Sequence, residues 1–253
     1  TGQPVTLGRS EKMSKSKKNV VDPEAIIEAY GADTARLFML SDSPPDRDLE
    51  WTDAGVDGAW RYLNRLWRLV TESPAPLAAP GSAPPETLGN AAEDVLKAVH
   101  KTIDGVSGDL EKFHFNKAVA RIRELTNAVE GLKEAAPDAD WVRRFALETL
   151  TLLVAPMTPH LAEALWLELG HRDTLVADTA WPEADPAYLV DDLVTIAVQV
   201  NGKLRGTIEL PKDCAKDAAE GAALALDKVQ SVLEGKPPRK VIVVPNRIVN
   251  VVA

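Results

Sequence analysis

The apolar positions of this chain follow two different periods. From Asp22 to about Gly170 they recur every three or four residues, the spacing of one helix face. Asp22-Pro23-Glu24 reads as a helix start, with a capping carboxylate, a proline at the first helical position and an acid in the first turn. That helix should run to Tyr30 and stop at Gly31, and a second should cover Asp33 to Ser41 before the breaker SPPDRD. Residues 52–71 predict a long helix with Trp60, Leu63, Trp67 and Val70 as its apolar stripe, which places both tryptophans in a core. The stretch 73–87, rich in Pro, Ala, Gly and Ser, predicts a loop. Further helices are predicted at 88–110, 115–134 and 139–154, then a short one at 160–169 after Pro156 and Pro159. Helices joined by loops in this way point to an antiparallel bundle.

Near Leu189 the period changes to two. Val194, Ile196, Val198 and Val200 alternate as in a half-buried strand, and Asn201-Gly202 is a strong signal for a tight hairpin. The return strand should place Leu204, Ile208 and Leu210 on one face and Lys203, Arg205 and Thr207 on the other. One helix is predicted over 214–234, with Ala218, Ala222, Leu226, Val229 and Leu233 along one side. Two short strands, KVIVV and RIVNVV, follow around Pro245-Asn246. The expected fold is therefore mainly α: a helical bundle over 51–188 followed by a small α+β (ββαββ) domain over 189–253.

Composition narrows the classes. The chain has 253 residues, 45% hydrophobic, enough for a buried core. Its formal net charge of −9 argues against a uniformly basic nucleic-acid coat. The charge is unevenly placed: residues 1–20 carry +4 and residues 199–253 carry +3, which leaves −16 between them. Because screening confines each field to about 10 Å, either basic end can still meet phosphate. The single cysteine, Cys214, excludes a disulfide framework and a cysteine-rich metal site within this chain, and fits a reducing cytosol. No signal peptide or bilayer-length apolar run is present, so a cytoplasmic location with no membrane partner is expected. The opening TGQPVTLG reads like the middle of a polypeptide, and a fragment is expected.

The N-terminal basic stretch, GRSEKMSKSKKNVVDP over 8–23, holds Arg9, Lys12, Lys15, Lys17 and Lys18 against one acid, Glu11. Lysine is a flexible point charge with three donors, and serine hydroxyls add more. By composition alone such a run is either a phosphate grip or a solvated terminus. The order of residues is more informative. KMSKS, Lys12 to Ser16, matches the signature loop of class I aminoacyl-tRNA synthetases. GADTARLFMLSDSPPDRDLEW (31–51), RYLNRLWRLV (61–70), FNKAV (115–119), LLVAPMTPHLAEALW (152–166), VQVNGKLRG (198–206) and the final VIVVPNRIVNVVA together resemble bacterial-type leucyl-tRNA synthetases over essentially the whole chain. One departure is Lys18, where that family often shows glycine before the asparagine.

The resemblance implies a catalytic-domain end with the KMSKS loop over 1–50, an anticodon-binding-type bundle over 51–188 and a tRNA-binding domain over 189–253. It implies leucine activation by ATP and transfer to tRNA-Leu, with ATP and Mg²⁺ in the full-length enzyme and none bound to this fragment, which alone should be inactive. Lys12 and Lys15 are then the catalytic residues. Lys15, Ser14, Ser16 and Met13 form the ATP-binding loop, with Met13 as an apolar anchor. Lys203, Arg205, Arg239, Lys240 and Arg247 of the last domain are candidate tRNA contacts, as is the row Arg61, Arg65 and Arg68. Each of these is also readable as exposed surface charge, and the last domain is the better RNA candidate. ATP and leucine would be reached through the missing N-terminal part, and a monomer is expected. The alternatives are a valyl or isoleucyl relative, or a free-standing, non-catalytic tRNA-binding protein. No metal site is expected: His100, His114, His160 and His171 are scattered, and Cys214 has no partner motif.

Overall fold

The computed structural model describes residues 11–73, 75–190, 193–233 and 235–252, which divide into two compact units meeting between Leu189 and Val190. The first unit is helical. Its elements are α1 (Pro23–Tyr30), α2 (Ala32–Asp42), α3 (Asp53–Thr71), α4 (Asn90–Glu111), α5 (Phe115–Gly131), α6 (Pro137–Val154) and α7 (Pro159–Glu168). Local chemistry sets their starts. The Asp22 side chain accepts from the Glu24 amide at 3.0 Å ahead of α1, and the Thr52 hydroxyl accepts from the Gly55 amide at 3.2 Å ahead of α3. Proline occupies the first turn of α1, α6 and α7. Gly31, at φ +85°, ends α1 and turns the chain into α2.

One core runs through the unit. Leu37 of α2, Val99 of α4, Ala118 of α5, Val142 and Leu153 of α6 and Ala162 of α7 are all fully buried in it. The α3 stripe differs from expectation. It is built from Val56, Ala59, Leu63, Leu66 and Leu69, whereas Trp60 and Trp67 are 41% and 36% exposed. Apolar residues cover more than half of this helix's circumference. Periodicity therefore located the stripe only to within one position, and the tryptophans lie on its flank.

Two polar joints hold the unit. At the first, α2 meets the α6–α7 corner. Asp33 accepts from the Leu161 amide at 2.7 Å and lies 3.0 Å from His160 Nδ1, so it caps α7 from another helix. Arg36 donates to the carbonyls of Pro156 and Met157 at 2.8 and 3.0 Å. At the second, Arg143 of α6 is 2% exposed and donates to the carbonyls of Pro76, Leu132 and Glu134 at 2.7–2.8 Å and to Asp140 at 3.1 Å. It pins the Pro/Ala-rich loop and the α5–α6 turn to α6. Two of the histidines are packed into the unit. The His100 ring stacks on Tyr188 and accepts from the Asp185 amide, and burial holds its imidazole below the usual range. His171 stacks on Trp166 and meets Glu148 at 2.8 Å.

The second unit is a four-stranded sheet with two helices, made of β1 (Leu193–Val200), β2 (Lys203–Pro211), α8 (Lys216–Leu224), α9 (Asp227–Leu233), β3 (Lys240–Val244) and β4 (Ile248–Val252). The strand order is β2-β1-β4-β3, with β1 and β4 parallel and both outer pairs antiparallel. Asn201 and Gly202, at φ +50° and +78°, make the tight hairpin turn, and the Asn250 side chain accepts from the Gly202 amide at 3.1 Å. Ile196, Val198, Val200, Val249 and Val251 are buried together with Ala219, Ala223, Val229 and Leu233.

Two expectations change here. The helix over 214–234 is two helices, because the chain breaks at Ala225-Leu226. The Gln230 side chain donates to the Leu224 carbonyl left open at the break. The break shifts the buried positions of α8 to Ala219 and Ala223, so Ala218 and Ala222 are not the inner face. In β2, the pairing passes from Gly206–Val198 to Leu204–Gln199, so Arg205 is an extra, unpaired residue. This bulge turns Leu204 out to 64% exposure and leaves Ile208 and Leu210 against the core.

Removing the Arg143 clamp tests the packing argument. Arg143→Ala leaves the carbonyls of Pro76, Leu132 and Glu134 without this donor, the Leu132 carbonyl in a buried position, and should destabilise the helical unit by about 1–3 kcal/mol. Chemical denaturation followed by circular dichroism measures it, and a loss under about 1 kcal/mol would show that the carbonyls find other donors.

Candidate phosphate loop and nucleic-acid interface

The first candidate site precedes α1. Ser14 is the extended residue ahead of a single 3₁₀ turn, Lys15–Lys17, closed by Lys18 in the left-handed region at φ +54°. The Lys17 and Lys18 amides donate to the carbonyls of Ser14 and Lys15 at 3.1 and 3.2 Å. Two side-chain contacts complete the turn. The hydroxyls of Ser14 and Ser16 lie 2.7 Å apart, and the Asn19 carboxamide accepts from the Ser14 amide at 2.8 Å while donating to the Lys12 carbonyl at 3.3 Å.

This geometry sorts the cations. Lys17 pairs with Glu11 at 2.7 Å. Lys12, Lys15 and Lys18 are exposed and have no carboxylate within ion-pair distance among the described residues. Arg9 lies outside the described residues. Ser14 and Ser16 bond each other and so brace the bend that separates Lys12 from Lys15. Met13, 46% exposed, borders a groove of about 670 Å³ together with Ile26, Ile27, Met39 and Trp51. The chemistry of this donor set suits phosphate: ammonium groups, hydroxyls and amides, all hydrogen-bond donors. It does not suit a divalent cation, and no group of three or more His, Cys, Asp or Glu side chains comes together among the described residues.

The arginine row on α3 divides. Arg61 pairs with Asp57 at 3.2 Å, and Arg65 binds Glu130 at 2.7 Å and Asn127 at 2.6 Å across to α5. The Arg65 bond holds the Glu130 carboxyl below its ordinary range. Arg68 alone of the three has no carboxylate partner among the described residues. Sequence reasoning overlooked Arg123 of α5. Its guanidinium lies 4.6 Å over the Tyr62 ring, its Nε–H has no acceptor, and it lines a cavity of about 380 Å³ between α2, α3 and α5. Burial pushes the Tyr62 phenol up to about 12, so the ring stays neutral beneath the cation. The available signal was the pair of arginines in ARIREL, two positions apart and therefore on different faces. Arg121 takes the other role and binds Asp109 at 2.7 Å.

In the second unit the sheet gathers some of the basic residues at one end. Lys203 is paired with Val200, Val200 with Val251 and Val251 with Val241, so Lys203, Arg239 and Lys240 lie at the same end of the four strands. Four strands span about 14 Å at ordinary spacing. Arg205, in the bulge, is half-buried and its Nε–H lacks an acceptor. Arg247 precedes β4 and lies at the opposite end, beside the turn where Asn246 meets Asp213 at 2.7 Å.

Residues 92–220 match the family described as the anticodon-binding domain of tRNA ligase. The chain belongs to that family. The match begins within α4 and runs past the Leu189–Val190 division into α8. Residues 5–52, which include the loop, α1 and α2, match tRNA synthetases class I (I, L, M and V). Among curated relatives, the chain is 63% identical to the leucine--tRNA ligase of Paramagnetospirillum magneticum, over 100% of this chain and 29% of the relative. It is 61% identical to that of Rhodospirillum rubrum, over 99% of this chain and 29% of the relative. The chain thus spans less than a third of the length of these relatives. Among solved structures it resembles the ternary complex of Agrobacterium radiobacter K84 agnB2 LeuRS with tRNA and LeuAMS. The TM-score is 0.75 and the identity 31%, covering 95% of this chain and 31% of that one.

The left-handed Lys18 gives the loop a physical explanation for the glycine usual there. A side chain in that region costs about 1–2 kcal/mol, which glycine avoids. Lys18→Gly should make the turn more stable by about 1 kcal/mol, seen as slower exchange of its own amide, which bonds the Lys15 carbonyl. Unchanged or faster exchange would mean that the turn does not carry this strain.

Proposed function

We propose that this chain is the part of a leucine--tRNA ligase that supplies the ATP-phosphate loop and the RNA-holding domains. In the full-length enzyme leucine is activated by ATP, pyrophosphate leaves, and leucine passes to the 3′ end of tRNA-Leu. The observation that carries the reading is the KMSKS turn, which presents Lys12 and Lys15 without a carboxylate partner among the described residues, in a chain that matches leucine--tRNA ligases along its whole length. As the α–β phosphate bond breaks, negative charge grows on the departing pyrophosphate. Ammonium groups already in place stabilise that charge more than the ground state. Lys15 is the direct contact, Lys12 supports it, and Ser14 and Ser16 hold the bend. Mg²⁺ would accompany the nucleotide in the full-length enzyme, but this loop's donor set does not fit it, and no step here is routed through it. Alone the chain is inactive.

For RNA, the exposed row Lys203, Arg239 and Lys240 at one sheet end is the primary contact, acting on phosphates rather than bases. Arg68 adds a contact in the bundle, whereas Arg61 and Arg65 are held by Asp57 and Glu130 and contribute less. Arg205 shapes the bulge beside Lys203. Arg247 lies outside this row. The enzyme works as a monomer in the cytoplasm, with tRNA-Leu, ATP and leucine as its partners.

Two measurements test the reading. In the full-length ligase Lys15→Ala should lower ATP–pyrophosphate exchange about a hundredfold, the effect of losing roughly 3 kcal/mol of transition-state stabilisation. Binding of tRNA should barely change. Exchange at the wild-type rate would remove Lys15 from the chemistry. For the RNA surface, Lys203→Ala with Lys240→Ala should weaken tRNA-Leu binding and flatten its salt dependence by about one to two units. Both side chains are exposed, so folding should survive. Equal affinity and slope in the folded variant would place the RNA elsewhere.

A further inference from the structure

We infer that Asn19 is the positioning residue of the KMSKS loop, a neutral clasp that keeps the turn closed while leaving its lysines available for phosphate. The inference rests on the proposed ATP-phosphate role of the loop and deepens it. Asn19 lies outside the five-residue motif, yet its carboxamide joins two points within it. Oδ1 accepts from the Ser14 amide at 2.8 Å, and Nδ2 donates to the Lys12 carbonyl at 3.3 Å. Only one orientation of the amide satisfies both, because Ser14 N–H needs an acceptor and the Lys12 carbonyl needs a donor. The bonds reach back five and seven residues, so they close the segment holding Met13, Ser14, Lys15, Ser16 and Lys17.

The physical need for a clasp is visible in the same segment. Lys15, Lys17 and Lys18 crowd like charges into one turn, and Lys18 sits in the unfavourable left-handed region. Ser14, ahead of the turn, makes no side-chain cap to the turn's free amides. The turn's own backbone provides two bonds, at 3.1 and 3.2 Å. Asn19 adds two more. Its neutrality matters as much as its geometry. An aspartate would accept from Ser14 equally well, but would present an oxygen to the Lys12 carbonyl. It would also attract a neighbouring ammonium group away from phosphate. A clasp built from an amide leaves the charge of Lys12 and Lys15 free for the nucleotide.

The test compares Asn19 variants with Lys15→Ala, by amide exchange, ATP–pyrophosphate exchange and tRNA binding. In the 253-residue chain, Asn19→Ala should speed exchange of the Ser14 amide, and Asn19→Asp should leave that amide bonded. In the full-length ligase, Asn19→Ala should lower kcat for ATP–pyrophosphate exchange about tenfold, with little change in tRNA binding. Asn19→Asp should lower it at least as much. Adding Lys18→Gly to Asn19→Ala should recover most of the loss, because it lowers the cost of the turn that the clasp offsets. Recovery to within about threefold of wild type supports a positioning role, since a direct contact with ATP would not be restored by a backbone change one residue away. A Ser14 amide unmoved by Asn19→Ala overturns the clasp. A drop in activity that Lys18→Gly fails to rescue overturns positioning in favour of direct contact. Normal exchange in Asn19→Ala while Lys15→Ala loses it overturns the inference and leaves the function standing; normal exchange in both overturns the two together.

Discussion

The segment ahead of the bundle is tied to it by the polar joint where α2 meets the start of α7, beside the packing of Leu37 and Phe38. Asp33 is nearly buried, and a buried carboxylate must be compensated. It is compensated by the N-terminus of α7, whose free amides and positive end suit a negative charge. The joint therefore acts in both directions: α7 gains a cap it could not find locally, and α2 gains a fixed orientation. Arg36 locks the same corner by donating to two carbonyls left open between α6 and α7. The loop and α1 lie upstream of α2 on one continuous chain, with only Gly31 between the two helices. A shift at this corner would therefore move the lysines as well.

The arginines show why a count of positive charge is a poor guide to an RNA surface. Arg36, Arg143 and Arg144 donate mainly to backbone carbonyls at the ends of helices and in the loop after α3. Arg61, Arg65 and Arg121 are matched to carboxylates. A guanidinium fork is well suited to both tasks, which is why lysine would not replace it there. The arginines engaged in these ways are not available to a partner.

Much of this was readable in advance, for identifiable reasons. Helix starts were legible where a side chain caps its own helix, as Asp22 and Thr52 do. The hairpin at Asn201-Gly202 was legible because positive φ at two positions demands such residues. What failed turns on how elements meet rather than on the pattern within one element. The flank position of Trp60 and Trp67 follows from which part of α3 its neighbours cover. The exposure of Leu204 follows from a bulge set by pairing between β1 and β2, and a period-two reading flips at the extra residue. The pairing of Arg65 with Glu130 spans 65 positions, and the unpartnered Nε–H of Arg123 is invisible without the packing of Tyr62. In the loop, the five-residue motif was plain, but the clasp from Asn19 needed the bend itself.

The order β2-β1-β4-β3 has a consequence for how the small unit comes into being. Its two central strands are the first and the last in sequence, and they are parallel, so they can pair only after the whole intervening segment is in place. The hairpin β1–β2 alone has no stable core, because Val198 and Val200 find their neighbours Val249 and Val251 only at the end. During synthesis this unit must therefore wait for its final residues to leave the ribosome, and until then it exposes an apolar strand edge open to other chains. It is an all-or-none module, in which any interruption between Leu193 and Val252 forfeits the sheet as a whole.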